Sequence, residues 1–243
     1  MALIVGAWLI YSLARSLSGD DVVQAERNGR LLLGWDQALG FGWTLDLNQW
    51  ATAHAVVAVP FAFEYASLHY LVTPAVLVWL WRCRPEAYGP GLTALLVMSA
   101  IGLIFYILLP VAPPRLLPGS AWIDTMHVWS HVGWWGGAAS APAGFEHLTD
   151  QYAAMPSLHV GWAAWCAWNW RLSARVLVRR LAWVYPASIS AAVVLTANHY
   201  VVDVVVGLAI AVLACSLATR LPNGDHGSEP LVRSGRGDPE AAT

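Results

Sequence analysis

Five residues between positions 115 and 203 could do chemistry together. His199 and Asp203 stand four apart in Thr196-Ala197-Asn198-His199-Tyr200-Val201-Val202-Asp203, at the head of a long apolar run, 204–219. On a helix that spacing stacks two side chains on one face, within contact range. An aspartate accepting from one ring nitrogen fixes the tautomer and leaves the other nitrogen as a nucleophile or base. Ala154-Met155-Pro156-Ser157-Leu158-His159 supplies a second His with a Ser, again just ahead of an apolar run. Proline in a first turn starts a helix well. The Ser157 hydroxyl and the backbone N–H groups of Ser157, Leu158 and His159 then make an anion seat at the positive end of the helix dipole. His159 is placed to protonate a departing oxygen. Arg115 follows three prolines in Pro110-Val111-Ala112-Pro113-Pro114-Arg115, a stiff turn carrying a planar cation that suits phosphate.

Each feature has a plainer reading. The His–Asp pair could be a self-satisfied polar patch, Ser157 an N-cap, and Arg115 a side chain snorkelling to headgroups. His159, His199 and Asp203 could instead ligate zinc, which would make a metal-dependent membrane hydrolase. A non-catalytic lipid-binding or transport protein is the third alternative. Glu64 and His69, inside an apolar stretch, are candidates to line a cavity, as are Asn198 and Tyr200 beside the pair. For Glu26, Asn28, Asn48 and His54 a solvated surface is the simpler expectation, a lid over the site the other.

The elements that must position these residues are membrane helices. The 243 residues are 58% hydrophobic and only 12% charged, about half the charge of a soluble domain, and several apolar runs approach the roughly 20 residues needed to cross a bilayer. The expected fold is all-α: one integral membrane bundle over 1–221 with about six crossings, near 2–17, 56–81, 91–110, 155–170, 182–198 and 199–219. Residues 22–54 mix charges with exposed-type aromatics and are expected to lie at the interface. The Gly/Pro-rich stretch 222–243 is expected to be a disordered cytoplasmic tail. A net charge of −2 gives no basic field for nucleic acid, and the three cysteines lack metal or redox spacing.

Arginine placement sets the orientation. Arg82 and Arg84, then Arg171, Arg175, Arg179 and Arg180, then Arg220 fall on one side of a six-crossing chain, which the positive-inside rule makes cytoplasmic. Both termini are then inside the plasma membrane. The heads carrying Arg115, Ser157, His159, His199 and Asp203 face outward, with Trp122, Trp129, Trp134 and Trp135 as an expected aromatic belt.

P-P-R, P-S-L-H and H-Y-x-x-D at successive outer helix ends resemble the type 2 phosphatidic acid phosphatase superfamily, over about residues 60 to 219. More closely they look like its inositol-phosphoryl transferase branch, which includes inositol phosphorylceramide synthases. The resemblance implies that His199 attacks phosphorus, Asp203 orients it, His159 is the general acid, and Arg115 and Ser157 hold phosphoryl oxygens. It implies a lipid-linked phosphate as substrate (phosphatidate, polyprenyl phosphate or a phosphoinositide type), water or an alcohol or sugar hydroxyl as acceptor, and no metal or other cofactor. The chain departs from the general phosphatase pattern in three places. It has no Lys anywhere, Val193 stands where an Arg is usual six before the second His, and Leu158 replaces Gly. The transferase-like branch shares these departures. The sequence names neither the lipid, the acceptor nor an oligomeric state.

Overall fold

A computed structural model describes residues 22–135 and 151–220. The expected crossing at 2–17 and the tail from 222 onward lie outside the described residues. Nine helices are described: α1 (Val22–Ala38), α2 (Thr44–Ala53), α3 (Ala55–Cys83), α4 (Pro85–Leu108), α5 (Thr125–Val128), α6 (Leu158–Trp170), α7 (Val176–Leu181), α8 (Val184–Leu195) and α9 (Val201–Ala218). Short 3-10 turns stand at Pro114–Leu116 and Ser130–Val132. Among the described residues there is no strand, only an isolated parallel bridge between Val111 and Ala153.

Among the described residues, four helical stretches are long and apolar enough to cross a membrane: Ala55–Cys83, Pro85–Leu108, Val176–Leu195 and Val201–Ala218. The expected crossing at 155–170 is α6, which has 13 residues. At 1.5 Å per residue it is about 20 Å long, short of the roughly 30 Å hydrocarbon core. Its surroundings explain its composition. α6 touches α3, α4, α8 and α9, and Leu158, Val160, Gly161, Ala163, Ala164, Trp165, Cys166, Ala167 and Asn169 are all buried. A helix apolar on every face belongs inside a bundle. In lipid, helices associate through close packing rather than a hydrophobic drive, so small residues gather at the contacts. The buried face of α9 follows that rule with Gly207, Ala211, Ala214 and Ala218.

The two ends of the bundle differ. At one end Arg84 Nε donates to Leu172 O at 3.0 Å, so the α3–α4 corner meets the α6–α7 connection and two arginine clusters share an end. At the other end lie the loops after α4, before α6 and before α9. The segment 22–54 is helical and docks there. α1 buries Ala25, Gly29, Leu32 and Asp36, a spacing of three and four that marks one helix face. Ala112 N–H donates to Ala25 O at 2.9 Å, and Asn28 Nδ2 to Pro110 O at 2.8 Å.

Two sequence expectations need correction here. Trp135 is only 2% exposed; its ring stands edge-on to Phe63, centroids 5.0 Å apart, and its indole N–H donates to Met126 O at 2.8 Å. It is core rather than belt, because the chain after α5 folds back along α3. Asn48 is 0% exposed rather than solvated. Its amide nitrogen donates to Ile123 O and Leu195 O at 3.1 and 2.9 Å, and its oxygen accepts from Ile123 N–H at 2.9 Å. A buried amide that uses both ends is a structural staple, here tying α2 to the loop before α5 and to the end of α8.

Candidate active site

Backbone hydrogen bonds join the three motif-bearing loops into one platform. Val111 N–H donates to Tyr152 O at 2.7 Å, Ala154 N–H to Val111 O at 3.3 Å, and Arg115 N–H to Ala197 O at 3.1 Å. Tyr200 Oη, expected as a cavity liner, donates to Ala112 O at 2.9 Å and braces the same platform.

The His199 turn is built by the end of α8. Asn198 N–H reaches Val193 O and Ala197 N–H reaches Val194 O, both at 3.0 Å, with Ala197 at φ 55°. This is the Schellman arrangement, with an alanine in the left-handed position that glycine usually fills. It reverses the chain within five residues and presents His199 at the start of α9. The head of α9 is capped twice. Asp203 Oδ2 accepts from Tyr200 N–H at 2.9 Å. The Asp36 carboxylate, from α1, accepts from Val201 and Val202 N–H at 2.8 and 3.0 Å. Neither sequence spacing nor motif points to Asp36, since its partners are 165 and 166 residues away.

His199 Nδ1 lies 2.6 Å from Ala154 O and 3.5 Å from Asp203 Oδ2. A carbonyl oxygen can only accept, so Nδ1 carries the hydrogen, and in the neutral ring Nε2 keeps its lone pair. The sequence expectation assigned the orienting acceptor to Asp203 alone. The structure adds the Ala154 carbonyl as the closer acceptor, with Asp203 behind it and already engaged by Tyr200. The His159 ring is 5.9 Å from the His199 ring, centroid to centroid, at 62°. Tyr65 and His69, both on α3, flank His159 with centroids 4.5 Å away. His69 therefore meets the site through His159.

Ser157 is the N-cap of α6 and makes no side-chain cap bond; its Oγ is buried without a partner. Its own N–H is taken by Asp203 O at 3.1 Å, so it is not free for an anion as expected. The first intrahelical bond runs from Gly161 N–H to Ser157 O, which leaves the amides of Leu158 and His159 without an intrahelical acceptor. The Ser157 backbone presses on α9 at Gly207, where an added Cβ would collide with Ser157 O. The Leu158 side chain fills space left by Gly102 on α4, where a Cβ would stand 2.7 Å from Leu158 Cδ2.

Arg115 is more committed than expected. Its Nε donates to Asn198 Oδ1 at 2.9 Å, and its Nη1 to Asp124 Oδ2 at 2.8 Å. Asn198, another expected liner, thus holds the guanidinium, and its Nδ2 is fixed in turn by Thr196 Oγ1 at 2.8 Å. Asp124 also caps α5, its Oδ1 accepting from His127 N–H at 2.9 Å. Sequence reasoning missed Asp124; its N-cap position before Thr125 was readable, its pairing with Arg115 was not. Glu64 is engaged elsewhere: its Oε2 accepts from Ser188 Oγ on α8 at 2.9 Å. Among the described residues, no group of three or more His, Cys, Asp or Glu is arranged to hold a metal ion.

No curated protein and no solved structure matches the chain. A family model described as the PAP2 superfamily matches residues 30–217, a range that takes in all three motif-bearing loops and both histidines. Membership suggests a lipid phosphatase-type function. With more than half of its length matched, the chain belongs to the PAP2 superfamily.

Proposed function

We propose that the protein transfers the phosphoryl group of a lipid-linked phosphate through a phospho-histidine on His199, at the extracytoplasmic face, without a metal. The observation that carries the reading is the pair of rings on α6 and at the head of α9, 5.9 Å apart, with His199 Nδ1 tied to a carbonyl, which in the neutral ring leaves Nε2 its lone pair. His199 Nε2 attacks phosphorus, the bond from phosphorus to the leaving oxygen breaks, and His159 gives that oxygen its proton. Arg115, the Ser157 hydroxyl and the Leu158 and His159 amides hold the nonbridging oxygens and stabilise charge as it develops. In the second half, the oxygen of water or of an alcohol attacks phosphorus, His159 takes its proton, and the P–N bond breaks to return the lone pair to His199. Leu158 and Val193, shared with the inositol-phosphoryl transferase branch, favour an alcohol such as an inositol or sugar hydroxyl as acceptor.

The test is direct. Purified protein is incubated with phosphatidate, a polyprenyl phosphate and phosphatidylinositol, with and without an acceptor alcohol. Free phosphate marks a phosphatase and a new phosphodiester marks a transferase. His199→Ala is expected to abolish turnover, and EDTA to leave it unchanged. Full turnover in the variant refutes the phospho-histidine. Loss on chelation, restored by zinc, refutes metal independence.

A further inference from the structure

We propose that Asp124 is a charge filter on the phosphoryl seat, admitting a lipid phosphodiester monoanion and penalising a phosphomonoester dianion. The inference rests on the phosphoryl-transfer reading above and adds to it the residue that selects which phosphate is taken.

The Arg115 guanidinium lies 2.8 Å from Asp124 Oδ2, in a pair whose side chains are 4% and 20% exposed. Water screens such a shielded pair less than a surface pair. Asp124 cannot easily swing away, because its other oxygen holds His127 N–H at the head of α5. Arg115 is equally pinned, with Asn198 on its Nε side. A phosphoryl group that reaches Arg115 therefore meets a carboxylate already in place. Guanidinium and carboxylate are neutral as a unit. Two further carboxylates, Asp203 and Asp36, stand at the head of α9. Arg30, another guanidinium bonded to the loop that carries Arg115, holds Pro118 O at the exposed surface, 2.9 Å away.

A monoanion can be satisfied by amide and hydroxyl donors at the head of α6 with a share of Arg115. A dianion brings a second charge into the same space. A phosphomonoester is largely dianionic at neutral pH, its second pKa being about 6, whereas a phosphodiester carries one charge. The penalty falls on the monoester, and Asp124 is the group that imposes it.

Asp124→Asn removes the charge while keeping the α5 cap, since asparagine caps about as well as aspartate. Purified wild type and variant are assayed with phosphatidate, as the monoester, and with phosphatidylinositol plus acceptor alcohol, as the diester. The wild type is expected to prefer the diester in kcat/KM. In the variant the monoester-to-diester ratio should rise at least about tenfold, the low end of what a charge within 4–6 Å does to a neighbouring ionisation. Retained diester turnover shows that the variant is folded. An unchanged ratio overturns the filter, as does a wild-type preference for phosphatidate. So does loss of both activities with an unchanged thermal midpoint, which would make Asp124 a support for Arg115 rather than its competitor. If Asp124→Asn unfolds, Asp124→Ser, which also keeps a capping side chain without the charge, carries the same ratio test. His199→Ala keeps the two ideas apart: a variant that still turns over both lipids removes the phosphoryl-transfer chemistry, whereas an unchanged ratio with His199→Ala inert removes only the filter.

Discussion

At the scale of single residues, the proposed chemistry separates groups that would face the reaction from groups that hold them. His159 has ring neighbours on α3 and faces the His199 ring, and in the proposed reaction it is the proton donor. His159→Ala is expected to lower kcat/KM by roughly 10²–10⁴-fold on a lipid phosphate with an alkoxide leaving group, the usual worth of a placed general acid. The loss should shrink to within about tenfold on a p-nitrophenyl phosphate ester, whose leaving group departs without a proton. An equal loss on both substrates would make His159 a structural or binding residue instead. The two histidines, Asp203 and Arg115 stood out as candidates because ionisable side chains are rare at membrane helix heads, and Ser157 through its place two residues before His159. Ala154 was not, because it acts through a backbone carbonyl and any residue could supply one. Asp36 and Asp124 were visible as carboxylates, but their partners are set by how α1 and the loop before α5 dock, which no local spacing encodes.

At the scale of elements, the geometry of the pair depends on how closely α6 can approach α9. The contact is backbone against backbone at Gly207, and the Ser157 N–H to Asp203 O bond crosses it. Gly207→Ala would drive a methyl into Ser157 O. Backbone cannot rotate out of the way as a side chain can. The expected cost is about 1–3 kcal/mol of stability, the usual range for overpacking, read as a lowered thermal midpoint, with activity falling as His159 is displaced. Gly34 on α1 is the internal control, with nothing within 4 Å of an added Cβ. Gly34→Ala should be neutral or stabilise by about 0.5–1 kcal/mol through helix propensity. Similar effects at the two sites would remove the α6–α9 contact as a determinant. The apolar runs announced helices at both positions, but they did not show that the run at 155–170 is a 13-residue helix enclosed by its neighbours. Hydropathy measures how apolar a segment is, and a helix buried among helices scores like one buried in lipid.

At the scale of the whole molecule, the arrangement of charge along the bundle carries the claim about which face the site uses. Arg84 binds Leu172 O across two corners, so the arginine-bearing ends gather opposite the loops that hold Arg115, His159 and His199. The proposed orientation takes the arginine end as cytoplasmic by the positive-inside rule; in that orientation the site opens outward and a lipid headgroup would enter from the outer leaflet. The native cysteines make this testable with little engineering. Cys83 is exposed at the arginine end, while Cys166 and Cys215 are buried. In intact cells a membrane-impermeant maleimide should leave Cys83 unlabelled until the membrane is permeabilised. Ala121 is exposed in the loop that follows Arg115, and Gln49 Nε2 contacts it only through its carbonyl, at 3.0 Å. Ala121→Cys should therefore keep the local bonds and react without permeabilisation. The reversed pattern, Cys83 labelled at once and Ala121→Cys protected, would turn the bundle over. The substrate would then have to come from the inner leaflet, and the chemistry at His199 would stand while its side of the membrane changed.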